Sequence, residues 1–209
     1  MRDISIPFAV GTPEWPGDTP FSCGWSWAMA VGASVNVSRL VTSPHVGTHA
    51  DAPLHVADGA AGADLLPLDP FLGPAHVVDL TGDEGAVSMA RLQEAGCPDG
   101  VTRLLLRTDR TVAAGRFPET WPTLAPATAQ ALVARGLRLL AVDCPSVDAR
   151  TSSTLAVHHV VFSGGAYVLE NLDLCGVSTG AYDLLALPLK VGPIDAAPVR
   201  ALLRPRLPS

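Results

Sequence analysis

Four side chains of the kinds that hold metal ions fall between residues 45 and 55, in the stretch SPHVGTHADAPLH: His45, His49, Asp51 and His55. Neutral imidazole and carboxylate are the donors that Zn²⁺ and similar borderline ions take. The chemistry of such an ion is hydrolytic, because it acidifies water and polarises a carbonyl oxygen. The competing reading is a solvated strand with incidental histidines. It would win for one histidine, but it accounts poorly for an H-x3-H-x-D-x3-H pattern set among glycine and proline breakers. All four positions are odd-numbered, so on an extended chain their side chains share a face. Pro44, Gly47 and Pro53 oppose a helix, and Ala52 before Pro53 is biased to extended geometry. The cluster is therefore expected on a strand or strand-to-loop segment with one polar face.

So short a segment rarely completes a site. Further donors are sought in His158, His159 and Glu170. Glu170 sits in the apolar run YVLENL, where a charge is costly without a partner. His158 and His159 end the apolar run TLAV, and one of the two is expected to face solvent. His76 reads as structural or exposed. Other chemistries fit less well. Ser43, Ser146 and Ser163 lack a G-x-S-x-G context. Cys144 follows a strand and reads as a buried, inert thiol more readily than as a nucleophile. Neither a G-x-G-x-x-G nor a G-x-x-x-x-G-K-[ST] run occurs, so nucleotide cofactors have no support.

The elements that must position these residues are short, since 19 prolines and 19 glycines punctuate the chain. Residues 1–45 read as strands joined by loops. Strands are expected at 75–80, 102–108, 137–143, 166–172 and 182–191, the last with Pro188 marking an edge or bulge. Helices are expected at 88–96, 126–136 and 154–163, the first two closed by Gly96 and Gly136. The class is α/β or α+β around a mixed sheet, with strand order undetermined.

The composition bounds the rest. With 209 residues, 48% of them hydrophobic, the chain can bury one core, and a single domain over 1–209 is expected. A net charge of −6 without a lysine or arginine run speaks against nucleic acid and anionic membrane surfaces as partners. No apolar stretch has transmembrane length. The first residues lack the shape of a signal peptide, being broken by Pro7, Pro13 and Pro16, so export is not expected. Cys23, Cys97, Cys144 and Cys175 form no C-x-x-C and read as reduced thiols of a cytoplasmic protein.

The stretch His45–His55 resembles the motif H-x-G-T-H-x-D-x-P-x-H of the metal-dependent cyclase family, matched at His45, Gly47, Thr48, His49, Asp51, Pro53 and His55. Residues 12–21, 104–108, 136–148, 154–159, 168–172, 182–190 and 197–205 resemble its kynurenine formamidase (arylformamidase) branch. The resemblance implies a swivelling β/β/α fold with a mixed sheet, working as a homodimer. It implies two zinc ions per chain, with manganese also suited to these ligands. The small-molecule substrate it implies is N-formyl-L-kynurenine, hydrolysed to L-kynurenine and formate in tryptophan catabolism. By the same resemblance His45, His49 and Asp51 hold one ion, and Asp51 bridges to a second held by His158 and Glu170. His158 is preferred to His159 because its spacing to Glu170 matches. His55 would be the acid/base, and Trp15 would line the substrate pocket. The chain departs from the branch at Ala156, where an acidic residue often precedes the histidine pair, and at Ser153, where a lysine is usual. Both lie beside a proposed ligand. They leave room for another amide, an isatin-like lactam or a lactone as substrate. A metal- or ligand-binding protein without catalysis is the reading of another class, and His55 argues against it.

Overall fold

The computed structural model describes residues 1–206. In chain order its elements are β1 (Arg2–Asp3), β2 (Ser22–Trp27), β3 (Val37–Val41), β4 (His49–Asp51), β5 (Leu72–Asp79), β6 (Ala86–Val87), α1 (Met89–Glu94), β7 (Arg103–Arg107), β8 (Thr123–Leu124), α2 (Pro126–Ala134), β9 (Leu139–Val142), α3 (Ala156–Ser163), β10 (Tyr167–Glu170), β11 (Gly180–Leu185), β12 (Ala196–Pro198) and β13 (Leu202–Pro205). Nine strands form one mixed sheet in the order β1-β13-β11-β5-β7-β9-β10-β4-β12. Its centre, β5-β7-β9-β10, is parallel. Both flanks are antiparallel.

The central strands are continuous apolar runs because both faces are covered. Alternation sends Leu104, Leu106, Leu140, Val142 and Val168 to one face, where they pack with Leu92 of α1, Leu132 of α2 and Val157 and Val161 of α3. It sends Leu105, Leu139, Ala141 and Leu169 to the other, against Ile4, Phe71, Leu184 and Leu203. The helices obey their end signals. The Ser88 hydroxyl accepts from the Arg91 N–H at the start of α1, Pro126 opens α2, and Gly96 and Gly136 follow with positive φ.

Two expectations change. The strand expected at 182–191 runs from Gly180 to Leu185, and Pro188 only makes an isolated bridge to Val199. A proline has no N–H to extend a ladder. The segment 45–55 is not one extended strand. Only His49–Asp51 are in β4, His45 lies in the preceding turn, and His55 ends a short 3₁₀ turn from Pro53. The shared-face argument therefore holds for His49 and Asp51 alone, and the tertiary fold brings the other two to them.

Candidate metal centre and active site

Gly47 makes the turn that carries His45 back over β4. It has φ +68, and a Cβ there would stand 3.3 Å from the Ile6 carbonyl oxygen. Thr48 anchors the same turn, its hydroxyl accepting from the Ile6 N–H at 2.8 Å. β4 pairs with β10 so that His49 lies opposite Glu170 and Asp51 opposite Val168. Val168 faces the helices, so this is the face that α3 covers. From α3, His158 reaches the same point. Five side chains from three separate segments thus converge, and four of them, His49, Asp51, His158 and Glu170, are buried.

Two groups of candidate ligand atoms share Asp51, beside a third made by His45, His55 and Asp195. In the first, His45 Nδ1 is 3.1 Å from His49 Nε2 and 3.2 Å from Asp51 Oδ1, and His49 Nε2 is 3.3 Å from the same oxygen. In the second, His158 Nε2 is 3.3 Å from Asp51 Oδ2 and 3.4 Å from Glu170 Oε1. Donors about 2.0–2.1 Å from a tetrahedral zinc lie roughly 3.3 Å from each other, which is the spacing in both groups.

The outward nitrogen of each imidazole has its own acceptor. His49 Nδ1 is 2.9 Å from the Gly47 carbonyl, His158 Nδ1 is 2.8 Å from Asp148 Oδ2, and His45 Nε2 is 2.9 Å from Asp195 Oδ2. These partners assign the ring protons to the outward nitrogens and leave the inward ones as bare lone pairs. Asp51 Oδ1 is buried without a hydrogen-bond partner. Lone pairs and a carboxylate oxygen turned on one another repel unless a cation lies between them.

Without a metal ion the surrounding carboxylates hold protons on these rings instead. Burial alone would depress the pKa of His45, but hydrogen bonds and charge from Asp195 and Asp51 raise it to about 10. Burial likewise opposes charge on His158, yet Asp148, Asp51 and Glu170 raise its pKa well above the usual imidazole value. Burial would raise the Asp51 pKa, and the surrounding imidazoles instead hold it well below the carboxylate range. Among the described residues every ion pair of these carboxylates is with a histidine. The cluster favours positive charge, which a divalent ion would supply. The donor set fits a metal at both groups.

Beside the cluster opens a cavity of about 520 Å³, lined among others by Trp15, His45, His55, Phe117, Glu170, Asn171 and Asp195. Trp15 meets Phe117 edge-on at 5.4 Å and Trp121 at 6.1 Å, forming an aromatic wall. His55 also lines the cavity and is partly exposed, its ring 4.5 Å from that of His45 and 5.6 Å from that of His158. His159 is exposed and lines a different cleft with Gln130 and Val133. His76 lies inside β5, separated from β4 by β7, β9 and β10. Cys144 is wholly buried, and burial raises its pKa well above that of a free thiol, which keeps it un-ionised.

Sequence reasoning missed Asp148, Asp195, Asn171 and Phe117. Asp148 offered one signal, an acidic residue ten positions before His158, and its carboxylate also accepts from the Val157 and His158 N–H groups at 3.0 Å. Asp195 offered none, since its segment GPIDAAP reads as a loop.

The family model "Cyclase", described as "Putative cyclase", matches residues 2–149. Over 204 residues the chain is 44% identical to the kynurenine formamidase of Bordetella avium strain 197N, covering 98% of this chain and 97% of that protein. A solved structure described as a potential metal-dependent hydrolase with cyclase activity superposes with TM-score 0.83 at 27% identity, over 99% of this chain and 98% of that one. Isatin hydrolase A from Labrenzia aggregata shares the fold at TM-score 0.79 and 21% identity, over 97% and 92% of the two chains. The chain belongs to the cyclase family, and its curled mixed sheet with few helices is that family's α/β architecture.

Proposed function

We propose that this protein is an amide hydrolase that converts N-formyl-L-kynurenine to L-kynurenine and formate in tryptophan catabolism. The observation that carries the hydrolytic reading is the pair of donor groups sharing Asp51 beside an aromatic-walled cavity. The full-length similarity to a kynurenine formamidase supports this substrate. His45, His49 and Asp51 would hold one zinc ion, and Asp51, His158 and Glu170 a second, with manganese an alternative for the same donors. When bound, such ions acidify water and polarise a carbonyl oxygen.

The chain's own residues do the rest. Trp15 and Phe117 stack against the flat aryl ring and exclude water from one side of it. His55, on the cavity wall, takes a proton from the attacking water and returns it to the departing aniline nitrogen, a role worth roughly 10²–10⁴-fold. Asp148 and the Gly47 carbonyl hold the His158 and His49 rings with their lone pairs inward.

The whole chain would act as one cytoplasmic domain within a homodimer. The β2–β3 hairpin supports the dimer. It stands outside the main sheet, and Trp25 and Trp27 are 61% and 62% exposed. A lone apolar hairpin is marginal in water, and a second copy of the chain would cover it.

The test is to strip the purified protein of metal, restore zinc or manganese, and follow N-formyl-L-kynurenine hydrolysis by absorbance. Turnover that a chelator abolishes and metal restores supports the reading. Two ions bound per chain without turnover discards the substrate. Ser153 and Ala156, near His158, then direct the search to other amides, lactams and lactones.

A further inference from the structure

Asp195 belongs to neither Asp51-sharing group, yet its carboxylate touches two of the histidines. Oδ2 is 2.9 Å from His45 Nε2 and 3.5 Å from His55 Nδ1. His45 turns its other nitrogen toward Asp51 and His49, so the ring proton it offers Asp195 is the one on Nε2. The same oxygen favours a proton on Nδ1 of His55 and leaves Nε2 of that ring as the free base. The backbone fixes where this carboxylate stands. The Ala52 N–H donates to the Asp195 carbonyl at 2.8 Å, the Ala63 N–H donates to the Ile194 carbonyl at 2.8 Å, and Ala196 pairs with Asp51 across β12 and β4. Asp195 is therefore mounted at the start of the strand beside the one that carries His49 and Asp51.

We infer that Asp195 is a positioning residue that, through a single carboxylate oxygen, fixes the ring of His45 on the metal side and the ring and tautomer of His55 on the substrate side. The inference rests on the hydrolase reading above. One residue then links the geometry of the donor cluster to that of the proton-transferring group. Loss of Asp195 frees the His55 ring to turn and to populate the other tautomer. It also strips His45 of its outward acceptor.

The test compares zinc-loaded native protein with Asp195→Ala, Asp195→Asn and His55→Ala, each checked for folding by circular dichroism. Three quantities are measured: zinc affinity by competition with a chromophoric chelator, histidine ring tautomers by ¹⁵N–¹H spectra, and kcat and KM on N-formyl-L-kynurenine. Asp195→Ala is expected to bind zinc roughly 10–100-fold more weakly. Its His55 signal should shift from one tautomer to a mixture. At saturating zinc its kcat should fall about 10²-fold with KM within about threefold, because proton transfer and not binding is impaired. Asp195→Asn keeps one acceptor oxygen and should recover zinc affinity more fully than kcat. A folded Asp195→Ala protein with native zinc affinity and a native His55 tautomer overturns the inference. If the native protein does not hydrolyse the formamide, the proposed substrate falls, and the zinc affinity and ring spectra alone decide the role of Asp195.

Discussion

Asp51 is the residue on which the rest of the site turns. Its two oxygens face different donor groups, so truncating it removes a candidate donor from both. Asp51→Ala is expected to lose metal and activity together, read by elemental analysis and by turnover on the same sample. His55 contributes to neither Asp51-sharing group, so His55→Ala should retain metal and lose roughly 10²–10⁴-fold in kcat. The adjacent histidines separate as cleanly. His158 is buried with its ring on Asp51, Glu170 and Asp148, whereas His159 is exposed in another cleft. His158→Ala should lose metal, while His159→Ala should keep native metal content and turnover. A metal-free His159→Ala protein would reverse that assignment.

Among the elements, α3 is tied to the site by its first turn. The Asp148 carboxylate accepts from Val157 and His158 N–H groups and from the His158 ring. It caps the helix and orients the His158 ring at once. Asp148→Ala should cost about 1–3 kcal/mol in denaturant unfolding, because buried donors lose their acceptor, and should weaken metal binding as well. The loop after β7 depends on another buried carboxylate. Asp143 accepts from the Thr108 and Asp109 N–H groups, and burial raises its pKa to about 6. A raised folded-state pKa means the native state binds the proton more tightly than the unfolded chain. Its stabilising contribution is full below about pH 4 and is lost as pH rises through about 6. Asp143→Asn should flatten that part of the stability–pH curve, measured by denaturant unfolding across pH 4–8.

For the whole molecule, the apolar hairpin sets the expected assembly. Met29, Val31 and Leu40 join Trp25 and Trp27 in leaving it wet. A dimer in solution is the expected state, and replacing Trp25 and Trp27 by aspartate should shift sedimentation toward the monomer. A native protein that sediments as a monomer at micromolar concentration would remove the hairpin's proposed role. Among the described residues no helix is long and apolar enough to cross a membrane.

How much of this was legible in the sequence follows from the range of the forces involved. His45, His49, Asp51 and His55 could be read directly because they crowd one short segment, and packing alone seldom gathers so many ligating side chains in one place. Leu104–Leu106 and Leu139–Val142 announced buried strands by apolar runs, and Pro126, Gly96 and Gly136 marked helix ends through local backbone sterics. Pairing of His158 with Glu170 came from resemblance to a family, since nothing local joins a helix to the end of a strand. Strand order, the placement of β4 between β10 and β12, and the arrival of Asp195 at His45 were decided by the fold alone. Each depends on hydrogen bonds between segments far apart in the chain, such as Ala52 with Asp195. No local propensity records which distant backbone will supply a partner, so Asp195, the carboxylate that meets His45, became visible only once the sheet had closed around it.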